Sequence, residues 1–176
     1  MKVTTAEEYG LRCLLQLARE HEQSRALTLP DIAAREGLPI PNTAKLLRRL
    51  RLAGIVVSAR GRAGGYTLGR PPKEVSLAEA LAALGSPIFQ RGDCTQYTGL
   101  GQVCVHAGDC SVRTVWVALQ TLVRSALTKI TLADLAFTEK LTRERLRASW
   151  ITEPELQAGW SASDRAPSGP RSPHRR

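Results

Sequence analysis

A mainly α-helical chain with one small β-hairpin, arranged as a winged helix-turn-helix followed by a long dimerisation helix, is the fold class this sequence predicts. Three observations predict it. Apolar residues recur at three- and four-residue spacing through most of the chain. A short helical pattern, a stiff turn and a basic helical pattern lead into two β-rich runs around a glycine-rich loop. Later, Ser111 to Ile130 carries an unbroken apolar stripe, and few other elements remain to cover it.

The first helix is expected after Thr4-Thr5, running to about Glu22. Tyr9, Leu11, Leu14, Leu15 and Ala18 lie at helical spacing, and Glu7 and Glu8 occupy the first turn, where the helix dipole favours acids. Cys13 inside it reads as a small core hydrophobe. The second helix opens at Thr28-Leu29-Pro30-Asp31, which offers a cap hydroxyl, a first-turn proline and an acid three residues after the cap. Gly37 stops it, because glycine takes the left-handed cap conformation cheaply. After Leu38-Pro39-Ile40-Pro41, a third helix spans Asn42 to Ala53, with Leu46, Leu47 and Leu50 inward and Lys45, Arg48, Arg49 and Arg51 on other faces. Ile55 to Ala59 and Tyr66 to Leu68 form two strands around Arg60-Gly61-Arg62-Ala63-Gly64-Gly65, a wing with arginines at its tip. Ser76-Leu77-Ala78-Glu79 is a capping box for a helix ending at Leu84. The Ser111–Ile130 helix carries Val112, Val115, Trp116, Leu119, Leu122, Val123 and Ala126 on one stripe. A helical turn at Thr131-Leu132-Ala133-Asp134 and a charged helix from Glu139 to Trp150 follow. This divides the chain into a winged helix (1–85), a cysteine-bearing sensor loop (86–110), the dimerisation helix with its followers (111–150) and a disordered basic tail (151–176).

Composition agrees. The 176 residues are 43% hydrophobic but only 5% aromatic, so Leu, Val and Ala must fill the core. The formal net charge is +9, and from Lys45 to Lys73 eight basic residues meet no acidic one. Ordinary surfaces mix signs, so this stretch points to a polyanion such as double-stranded DNA. The expected contacts are Pro41, Asn42, Thr43 and Lys45 for bases, with Arg48, Arg49, Arg60 and Arg62 for phosphate or the minor groove. No signal peptide, membrane span or nucleophile–base motif is evident. The expectation is a cytoplasmic protein without membrane partners and without enzymatic activity, whose cysteines stay reduced.

Cys94, Cys104 and Cys110 lie within 17 residues, the last at a helix N-terminus. Thiolates in this pattern select zinc, copper(I) or iron–sulfur clusters. His106 offers a fourth ligand for zinc.

At these residues the chain resembles the IscR/NsrR/RirA family of winged-helix regulators, over roughly residues 1–136. The carrying segments are Ala6 to Arg12, Leu50 to Val56, Ser58 to Leu68 and Cys110 to Trp116. The resemblance implies a homodimer whose operator binding is controlled by an iron–sulfur cluster (2Fe–2S or 4Fe–4S). Cys94, Cys104 and Cys110 match its ligands, and Glu8 matches a position where some relatives supply a carboxylate from the other subunit. The Cys94–Cys104 gap is longer than the family's usual spacing. Arg113 stands where one branch has a histidine ligand, which points to Glu8 or to a labile site. Asn42-Thr43-Ala44 replaces a more common aromatic-aliphatic-acid run, which implies a different operator. Without the resemblance, Glu8 reads as a first-turn acid paired with Arg12. Two other readings stand beside the cluster regulator: a zinc-binding or thiol-redox regulator of the same fold, and an accessory protein that handles clusters or binds a partner protein without contacting DNA.

Overall fold

The computed structural model describes residues 3–59, 64–85, 100–101, 103–106 and 109–149. The expectations for Arg60, Arg62, Cys94 and the tail from 151 lie outside these residues. The chain divides into two compact units, Met1–Phe137 and Thr138–Arg176.

The first unit opens with α1 (Thr5–Glu20). Thr4 caps it, and Glu7 returns its carboxylate to the Thr4 N–H at 2.7 Å, closing a capping box. Helix α2 (Leu29–Glu36) begins with the same device, built from Thr28 and Asp31. It ends at Gly37 (φ 63°), where the Leu38 N–H reaches back to the Ala33 carbonyl at 2.9 Å. That left-handed turn is where glycine avoids the Cβ penalty, and it aims the chain into the next helix.

Helix α3 (Ile40–Leu52) starts two residues earlier than the sequence predicts. Pro41 is tolerated in its first turn because no intrahelical partner awaits an N–H there. Thr43, Leu46, Leu47 and Leu50 form its buried stripe. Strands β1 (Val56–Ala59) and β2 (Gly65–Leu68) pair antiparallel, with Val56 opposite Leu68 and Ala59 opposite Gly65. Val56 and Leu68 turn inward while Val57 faces out, the alternation of a half-buried hairpin.

Two connections are absent from the sequence reading. Leu27 exchanges backbone hydrogen bonds with Tyr66 (2.8 and 3.1 Å), giving the hairpin a third edge. After a 3-10 turn (Pro72–Glu74), helix α4 (Leu77–Leu84) and helix α5 (Ser111–Thr128), the chain returns to the winged helix. The Leu77 N–H bonds to the Ile130 carbonyl at 2.8 Å, and the Leu132 N–H to the Val75 carbonyl at 3.0 Å. Leu132, in the short α6 (Leu132–Leu135), is fully buried with Leu14, Leu17, Leu47, Leu50, Ile55 and Leu84. The core therefore needs residues well beyond the expected boundary at 85.

At the start of α4 the Ser76 hydroxyl accepts from the Glu79 N–H, as expected, but the Glu79 carboxylate pairs with Arg70 instead of closing a box. Helix α5 contributes no buried residue: Val112, Trp116 and Leu122 are 63%, 48% and 67% exposed. No helix among the described residues is long and apolar enough to cross a membrane. In the second unit, α7 (Glu139–Ser149) carries an Arg143–Glu139 ion pair one turn apart, at 2.6 Å.

Two outcomes follow. Leu132→Ala removes a fully buried side chain whose neighbours can collapse only partly, and should cost about 2–5 kcal/mol in chemical denaturation of the full-length protein. Burial pushes the Cys13 thiol up to about 11. A thiol reagent at neutral pH should therefore leave Cys13 unlabelled in the native protein, as read by peptide mass spectrometry, and label it once the protein unfolds.

Candidate nucleic-acid interface and thiol centre

The buried stripe of α3 decides which residues face solvent. Pro41, Lys45 and Arg48 recur at four- and three-residue spacing on the opposite side and are all exposed, as is Asn42 beside them. No side chain caps the first turn of α3 and no acid sits in it, so its positive end carries no competing negative group. The hairpin follows directly, and no acidic residue occurs from Ile40 to Leu68. A short helix, a three-residue turn and an outward basic helix beside a hairpin is the geometry that lays a helix in a major groove and a wing along the flanking backbone.

One expected contact is corrected by the packing. Thr43 is fully buried, and its hydroxyl donates to the Pro39 carbonyl at 3.2 Å; it secures the first turn of α3 and presents nothing to a base. Arg49 lies at the flank of the helix, where α4 is within reach, and its Nη1 donates to the Leu84 carbonyl at 2.7 Å. The residue itself stays exposed on that flank.

A second correction concerns Arg12. It does not close an ion pair with Glu8. Its Nε meets the Glu36 carboxylate at 2.7 Å, its Nη2 donates to the Glu36 carbonyl at 3.1 Å, and Gln16 donates to the other Glu36 oxygen. The Glu36 hydrogen bond, more than any other influence, holds the Arg12 guanidinium above its ordinary pKa. The Arg12 guanidinium also lies 5.4 Å from the centre of the Tyr9 ring. This network ties α1 to the last residue of α2. It spans 24 residues of sequence, and no local spacing announces it.

Two of the candidate thiols are described. Cys110 is the N-cap of α5, with its Sγ accepting the Arg113 N–H at 3.3 Å. Cys104 is half-buried, His106 is exposed, and both Cys104 and Cys110 are free thiols. Glu8 stands exposed in the first turn of α1. Among the described residues no three metal-binding side chains converge; Cys94 is not one of those residues. The two thiols that are described are soft donors of the kind a metal centre takes, both partly shielded from water.

Similarity to known proteins matches this geometry. The profile of the Rrf2 family, described as an iron-dependent transcriptional regulator, matches residues 3–138. The HTH-type transcriptional regulator IscR of Vibrio campbellii is 32% identical over 135 residues, covering 77% of each chain. Among solved structures, IscR of T. potens superposes with a TM-score of 0.60 at 27% identity, covering 89% of this chain and 96% of that one. CymR, the global cysteine regulator of B. subtilis, does so with a TM-score of 0.60 at 29% identity, covering 77% and 96%. The winged helix, its outward basic helix and the match over nearly all of the first unit together place this chain in the Rrf2 family of DNA-binding transcriptional regulators.

Proposed function

We propose that the protein is a homodimeric regulator whose operator binding is controlled by an iron–sulfur cluster held by Cys94, Cys104 and Cys110, with Glu8 of the partner subunit as fourth ligand. The observation that carries this reading is the position of Cys110. It caps α5, the helix whose Val112, Val115, Trp116, Leu119 and Leu122 stand exposed, so one end of the apolar stripe carries a candidate ligand. Exposed apolar surface of that extent on a helix marks a partner site. A second copy of the same helix covers it, and a carboxylate from that copy then lies in the same assembly as these thiols.

Pro41, Asn42 and Lys45 read base edges from α3, and Arg48, with Arg60 and Arg62 of the wing, holds phosphate. When bound, the cluster supplies redox sensitivity and thiolate bonds that are made or lost with the signal. The protein's own part is to supply soft ligands at the end of the pairing helix and to keep Lys45 and Arg48 on a rigid outward stripe.

A second reading, a thiol-responsive regulator of the same fold, is supported by the likeness to CymR, and zinc held by Cys104, His106 and Cys110 is its metal-bound form.

Anaerobically purified protein should be coloured and carry iron and sulfide, and Cys104→Ser and Cys110→Ser should both lose them. Colourless wild-type protein with bound zinc, or with none of these, would overturn the cluster. On DNA, Arg48→Ala should lower the slope of log affinity against log salt by about 0.9, the value of one phosphate contact. Lys45→Ala should instead cost about 1–3 kcal/mol on the best duplex and blur sequence preference. Leu119→Glu should convert the dimer to monomer in analytical ultracentrifugation.

A further inference from the structure

The first turn of α3 is apolar on its outside. Pro39, Ile40 and Pro41 are exposed in succession, and Ala44 follows one turn after Ile40, half-buried. Their neighbours are placed differently: Leu38 packs against the core and Thr43 is buried. Ile40 stays 48% exposed, although burial of an isoleucine is among the larger gains open to a side chain. It is also held still. The Pro39 carbonyl accepts the Asn42 N–H at 3.0 Å, the Thr43 N–H at 3.1 Å and the Thr43 hydroxyl at 3.2 Å, which fixes the turn. A β-branched side chain in a helix has one strongly preferred rotamer. An apolar group displayed in this way loses little freedom on contact with a partner.

The surroundings select that partner. Pro41 leads at helical spacing to Lys45 and Arg48, both exposed, and no acid occurs from Ile40 to Leu68. No side chain caps the turn. An apolar tip on a basic, acid-free helix fits a polyanion that carries an apolar group within its groove. Double-stranded DNA has one, the C5-methyl of thymine, displayed in the major groove.

We propose that Ile40 is a specificity-determining residue that reads a thymine in each half of the operator by packing on its C5-methyl. This rests on the reading of α3 as the helix that enters the groove, and adds to its polar contacts an apolar one. A recognition helix meets the bases with its N-terminal residues, which is the end where Ile40 stands. Leu52, the other exposed large apolar side chain of α3, lies twelve residues on, about 18 Å along the axis. It serves as the control.

The test uses the full-length protein and a duplex that it selects from random-sequence DNA. Each thymine is replaced in turn by deoxyuridine, which deletes the methyl and keeps the base pair. Wild-type affinity should fall about fourfold at one thymine per half-site, equivalent to about 0.8 kcal/mol for one methyl group leaving water. Ile40→Ala should bind the thymine duplex more weakly and no longer distinguish it from the deoxyuridine duplex. Its salt slope should stay at the wild-type value, because no phosphate contact is lost. Leu52→Ala should keep the full distinction. A wild type indifferent to deoxyuridine at every thymine overturns the inference. That scan needs no variant, so it decides even where Ile40→Ala fails to fold. An alanine variant that retains the distinction overturns the inference too, because the methyl is then read by another residue. If Lys45→Ala and Arg48→Ala both bind as the wild type does, α3 is not the groove helix, and that reading falls together with this one.

Discussion

Burial of one side of α3 is the constraint on which the rest of the structure depends. Thr43, Leu46, Leu47 and Leu50 enter a core shared with Leu14 and Leu17 of α1, Ile32 of α2 and Val56 of β1. Each fully buried leucine contributes on the order of 2 kcal/mol by leaving water. Rotating the helix would forfeit several such contributions at once, so its outward face is set by what its inward face cannot give up. Pro41, Lys45 and Arg48 face solvent because the leucines are held.

The same packing sorts the arginines of α3. Arg48 falls on the outward stripe, whereas Arg49, one residue on, is turned toward the end of α4 and bonds to the Leu84 carbonyl. Arg12 meets a similar fate. An acid one turn away on its own helix is passed over for Glu36, because that carboxylate is almost fully shielded from water and a charge so placed requires a partner. Charged residues in this protein are thus divided between solvent-facing and domain-bonded positions by packing, within a basic stretch that looks uniform in sequence.

The return of the chain after α5 extends this logic. Ile130 and Leu132 bring the far end of the long helix back against Val75 and Leu77 through two backbone hydrogen bonds. That end of the exposed helix is therefore tied to the winged helix through Leu132.

Local rules made much of this legible from the sequence. The Thr4–Glu7 and Thr28–Asp31 caps, the glycine stop at Gly37, the hairpin around a glycine-rich loop and the leucine stripe of α3 are each specified by residues within a few positions of one another. The acid-free run from Lys45 to Lys73 reported the polyanion partner for the same reason. What the sequence by itself could not determine were the contacts made across long separations: Leu27 on Tyr66, Arg12 on Glu36, Arg49 on the Leu84 carbonyl, and Leu132 in the core. These depend on which surfaces the folded chain brings within hydrogen-bond reach. Short-range periodicity carries no record of that, so only the tertiary structure decided that Thr43 is buried and Arg49 bonds the Leu84 carbonyl while Lys45 and Arg48 are left facing solvent.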